Sequence, residues 1–198
     1  MKKIKDSILI ANACDGIYCK RHYITGKYEH PWYGCTMMGE DCIKFIKEFN
    51  EIDFTKYTKI SYNESKISNY KHIYSWNGHN KALGVKTEDS VTIKYDNGVQ
   101  IIYPHFVNWD EFDEIYSRRL KRFNNINKDD IIFIIRVLSD YTDEIINEFY
   151  NLNVNKILIF STNHHLSDKY RDNDNTKIII TDKVHHDFVS SIKEYDKI

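Results

Sequence analysis

Proline and glycine are scarce in this 198-residue chain, with two and seven respectively. No Pro-, Gly- or Ser-rich stretch separates one part from another, so the sequence predicts a single domain over 1–198. Cysteine is also sparse: Cys14, Cys19, Cys35 and Cys42 all fall in the first quarter. Their spacing matches neither paired zinc-binding C-x-x-C motifs nor a small secreted disulfide scaffold, and predicts reduced thiols in a cytoplasmic protein. Long apolar runs are missing. The basic start leads into ILIA at 8–11, which is too short for a leader's apolar region, and no later run predicts a membrane span. Neither sign of charge dominates, with 28 basic against 29 acidic residues. That balance gives no electrostatic case for nucleic acid as a partner. The phosphate-cradling loops G-x-x-x-x-G-K-[ST] and G-x-G-x-x-G do not occur, and no cofactor is identified.

What the chain does have is 41% hydrophobic residues, enough for a substantial core, laid out in a readable rhythm. ILIAN at 8–12, IIFII at 131–135, KILIF at 156–160 and KIIIT at 177–181 read as strands apolar on both faces. Helical spacing marks 41–49, 108–123, 142–152 and 184–195, with Asn108 and Glu111 set as a helix start. Asp96-Asn97-Gly98 between VTIKY and VQIIY signals a β-hairpin, while 52–90 reads as irregular. The expected fold is α/β: a mainly parallel sheet, helices on both faces and an inserted β-hairpin.

In such sheets ligands bind beyond the carboxyl ends of the strands. The first strand runs into Asn12, Cys14, Asp15 and Gly16, the second into Arg136, the third into His164 and His165, and the fourth into Asp182 and His185. Cys14 is the sharpest candidate nucleophile, since a thiol at a helix start is favoured as thiolate; the alternative is a small buried hydrophobe. A base for it is sought among His105, which follows Pro104, and His185. Asp182 and His185 form a D-x-x-H that resembles the arrangement in SGNH-type esterases. His164-His165 reads equally well as a solvated loop. Cys14, His164, Asp182 and His185 have no spacing that demands a metal, so none is assigned. Arg119 stands on the helix face of Phe112, Tyr116, Leu120 and Phe123, where a guanidinium needs an internal partner or an anionic ligand. The internal salt bridge is the expected outcome. Arg118 and Arg122 lie further round the helix. Asn12 would donate to an oxyanion, and Arg119 or Arg136 would hold an anionic substrate group.

The run IIYPHF at 101–106, the arginine-bearing YSRRLKRFN at 116–124 and the strand IIFII at 131–135 resemble a domain family of unknown function from exopolysaccharide-biosynthesis loci. That family sets a His–aromatic pair before an R-R-x-x-R helix and a buried strand. Residues 12–16 and His30-Pro31-Trp32 are similar to its opening segment, and the likeness covers most of 6–161. A related family of predicted papain-like cysteine peptidases shares a cysteine after the first strand and a later His–aromatic motif. The resemblance implies a surface-glycan context and points to Cys14, His105, Arg118, Arg119 and Arg122. The expectation is therefore an enzyme of group transfer with Cys14 as nucleophile and His105 as base, acting on a carbohydrate or an anionic small molecule. The rival expectations are a non-covalent glycosyltransferase-like or sugar-binding domain, and a non-catalytic accessory protein.

Overall fold

The computed structural model describes residues 7–12, 30–70, 89–138 and 140–181. Cys14, Cys19, Asp182, His185 and the helix expected at 184–195 lie outside them.

Among the described residues two sheets carry the fold. The first is fully parallel, in the order β1-β5-β6-β7, from β1 (Ile8–Ala11), β5 (Ile131–Arg136), β6 (Lys156–Phe160) and β7 (Thr176–Ile180). The second is antiparallel, in the order β2-β3-β4, from β2 (Tyr57–Ile60), β3 (Val91–Tyr95) and β4 (Gln100–Tyr103). The expected hairpin is β3–β4. Its turn needs a left-handed residue, which Gly98 supplies at φ 89°, while Asn97 Oδ1 accepts the Val99 N–H. Strand β2, in a stretch read as irregular, makes the hairpin a three-stranded sheet.

Three helices are described: α1 (Gly39–Lys47), α2 (Trp109–Phe123) and α3 (Asp143–Asn151). Asn108 caps α2 as expected, its side chain accepting the N–H groups of Asp110 and Glu111. Each helix turns an apolar stripe to the same core. Phe45, Ile46, Phe112, Tyr116, Phe123, Ile146 and Phe149 join Ile10, Phe133, Ile135, Leu158 and Phe160 from one face of the parallel sheet. Trp32 lies at its centre, edge-on to Phe45, Phe49, Phe54 and Phe123. The opposite face, with Leu9, Ile132, Ile134, Ile157 and Ile159, is buried as well. The described helices cover the first face.

Among the described residues β1 is an edge strand, and its outward carbonyls are capped rather than left open. His30 Nε2 bonds Leu9 O at 2.8 Å, Cys35 Sγ faces Ala11 O at 3.9 Å, and Met37 N donates to Asn12 O at 3.1 Å. Between them Thr36 exchanges both backbone bonds with Ile102 of β4. Residues 35–37 thus join the free edge of β1 to the free edge of β4 and tie the two sheets into one body.

Candidate functional site

The carboxyl ends of β1, β5 and β6 carry a polar network in three parts. Asn12, 1% exposed, organises its first part. Its Nδ2 donates to Arg136 O at 3.0 Å and to Tyr141 OH at 2.6 Å, and its Oδ1 accepts the Arg136 N–H at 3.0 Å. The carboxamide thereby pairs with both polar groups of the Arg136 peptide, as the next strand residue would. This releases the main chain of β1, so that Asn12 O takes the Met37 N–H instead. Both amide hydrogens of Asn12 are thus used inside the fold, where the side chain clamps β1 to the end of β5.

The segment after β5 supplies the second part. Asp140 Oδ2 accepts the N–H of Gly39 at 2.9 Å, holding the start of α1 against the loop. A side chain at position 39 would press on Asp140 O, Ile145 and Tyr141 at 3.3–3.4 Å, so the close approach uses a glycine. Thr142 then caps α3 through the Ile145 N–H, which fixes Asp143 in the first helical turn.

The segment after β6 supplies the third. His165 Nε2 lies 3.0 Å from Asp143 Oδ1, and both side chains are exposed. The ring of His164 stacks on that of His165 with centroids 4.7 Å apart and 21° between planes. His164 is anchored in turn: its Nδ1 accepts the Leu166 N–H at 3.2 Å and its ring meets Phe160 at 5.2 Å. Partial burial, with the neighbouring His165 adding to it, holds His164 below the usual histidine range. A histidine whose Nε2–H is directed at a carboxylate leaves Nδ1 to take a proton, an arrangement suited to a general base.

The other expected site residues that are described lie apart from this pair. His105 is exposed on the turn after β4, beside Pro104, which is buried. Arg118 and Arg122 are exposed on α2. Arg119 is buried at 8% exposure, as its helix face requires. Its contacts include Tyr33 O at 3.4 Å and the faces of Tyr33 and Phe106 at 5.4 and 6.0 Å. A carbonyl and two aromatic faces are among the groups that receive the buried guanidinium. Arg136 is half-buried at the end of β5, and its backbone is held by Asn12. Cys35 and Cys42 are buried cysteines with 0% and 2% exposure, and burial pushes the Cys42 thiol up to about 12. Burial of this kind disfavours the thiolate, the form that reacts.

Sequence reasoning left His164-His165 open and did not single out Asp143 or Tyr141. The usable signal was their position directly beyond β6 and β5, on the edge already selected by the strand-end rule. Among the described residues no group of three or more His, Cys, Asp or Glu side chains is placed to hold a metal ion, and no helix is long and apolar enough to cross a membrane. A cavity of about 300 Å³ lined by Glu48, Glu51, Ile52, Asp53, Asp96 and Asn97 sits at the hairpin turn. No family model, curated protein or solved structure matches the chain.

Proposed function

We propose that this protein is a group-transfer or hydrolytic enzyme working at the carboxyl edge of its parallel sheet, with Cys14 as nucleophile and His165, oriented by Asp143, as base. The observation that carries the reading is the His165–Asp143 pair at 3.0 Å beyond β6. In the reaction, Sγ of Cys14 bonds the acyl carbon while its proton passes to Nδ1 of His165. The imidazolium then protonates the leaving group, and water or an acceptor hydroxyl releases the acyl group from sulfur. Asp143 supports the imidazolium through Nε2. Arg136 stands at the same edge and suits an anionic group on the substrate. The likeness of 101–135 to a family from exopolysaccharide loci favours a surface-glycan substrate; it also keeps His105 as the competing base.

The test uses p-nitrophenyl acetate as acyl donor, with peptide mass spectrometry to locate the adduct. A burst of product with acetyl on Cys14 is expected, greatly reduced in His165→Ala and retained in His105→Ala. Loss in His105→Ala alone would move the base to His105. Acetylation of lysines only, with no burst, would contradict covalent catalysis and leave the non-covalent sugar-binding reading.

A further inference from the structure

His164 has a contact that only its neutral form can make. Its Nδ1 accepts the Leu166 N–H at 3.2 Å, so in the neutral ring the proton sits on Nε2. A second proton has to go to Nδ1, where it would face an N–H and abolish the bond. The bond lies within a run of tight turns: His164 N to Ser161 O at 3.1 Å, Ser167 N to His164 O at 2.9 Å and Lys169 N to Leu166 O at 3.0 Å. The same ring stacks on His165 at 4.7 Å. The titratable groups facing it are His165 from its own loop and Asp143 from α3; β6 presents the uncharged Phe160.

We propose that His164 is a proton-operated latch on the proposed base: neutral, it locks the loop and holds the His165 ring at Asp143; protonated, it releases both. The inference rests on the reading of His165 as base for its consequence, but not for its geometry. A neutral His164 also lets His165 accept the proton of Cys14 without a like charge stacked against it. The sign follows from the contact. The fold favours neutral His164, so the stabilisation is present above the ordinary histidine range and is lost as pH falls through the lowered one.

The experiment is an NMR titration of the full chain, following the Leu166 amide and its hydrogen-exchange protection factor, in wild type, His164→Gln and His165→Asn. Glutamine keeps an oxygen able to accept the Leu166 N–H but does not titrate. In wild type the Leu166 amide is expected to shift with the His164 ring signal, with a protection factor falling at least about tenfold from pH 7.5 to pH 5. His164→Gln should be flat over that range, and His165→Asn should keep the transition. A Leu166 amide that ignores the His164 titration in wild type, or that shifts equally in His164→Gln, overturns the latch. The base reading fails separately, through an absent acyl adduct on Cys14, so the two failures are distinguishable.

Discussion

Lys156 opens β6 yet is only 1% exposed. Its ammonium donates to Leu152 O and Val154 O in the segment that follows α3. Burial pulls it from 10.5 down to about 8. That difference corresponds to a ceiling of roughly 3 kcal/mol disfavouring the charged form. Hydrogen bonds from the ammonium to those two carbonyls oppose it by about 1 kcal/mol, which leaves an expected effect of about 2 kcal/mol. Between the lowered and the ordinary value the unfolded chain binds a proton that the folded chain has released. Stability therefore rises with pH across the interval from about 8 to 10.5. Lys156→Met removes the titration while keeping the volume. Near pH 7 the variant is expected within about 1 kcal/mol of wild type, because the lost donors and the lost desolvation offset each other. The assay is urea denaturation of both proteins at about pH 7, 8.5 and 10, read as the difference between them so that other titrations cancel. Wild type should gain about 2 kcal/mol on the variant over that range. A difference that stays constant, or that moves against wild type, would refute the reasoning.

Three further predictions concern stability. In the core, Trp32 Nε1 donates to Tyr95 OH at 3.1 Å, Tyr95 OH and Tyr116 OH lie 2.6 Å apart, and Tyr116 OH donates to Phe54 O at 3.1 Å. Tyr116→Phe breaks this chain in the middle and should cost about 1–3 kcal/mol in denaturant unfolding. Asn12→Asp keeps an acceptor for Arg136 N–H but sets a buried carboxylate against Arg136 O; a loss of at least about 2 kcal/mol at neutral pH is expected, partly recovered in acid as the carboxyl protonates. Arg119→Lys loses the planar stack against Tyr33 and Phe106 and should lower stability by about 1 kcal/mol, whereas an unchanged midpoint would show that any cation suffices there.

Much of the fold was legible because its signals are local. The parallel strands show themselves as runs apolar on both faces, the hairpin as Asp96-Asn97-Gly98, and the start of α2 as Asn108. Arg119 was placed in the core by helical spacing alone. Strand β2 was missed because its middle residues, Thr58 and Lys59, are exposed and no apolar alternation marks it; pairing with β3 makes it a strand. The start of α1 at Gly39, two residues before the expected start at 41, depends on Asp140, which arrives from 101 residues away. The site was legible as an edge and not as a constellation. His165 and Asp143 meet only because β5 and β6 are neighbours, and the commitment of Asn12 to Arg136 spans 124 residues. Lys156 carried no warning in its sequence, since one lysine at the head of an apolar run reads as an exposed end.

The measurement that bears most directly on the proposed chemistry is the thiolate titration of Cys14. Its rate of alkylation by iodoacetamide would be followed against pH by peptide mass spectrometry in wild type, His165→Ala and Asp143→Asn. Buried Cys35 and Cys42 serve as protected internal controls. If His165 and Asp143 activate the nucleophile, the Cys14 profile has its midpoint below the ordinary thiol value of about 8.5 and moves up to it in both variants. A wild-type midpoint at the ordinary value, unmoved by either substitution, would contradict Cys14 and His165 working as a pair.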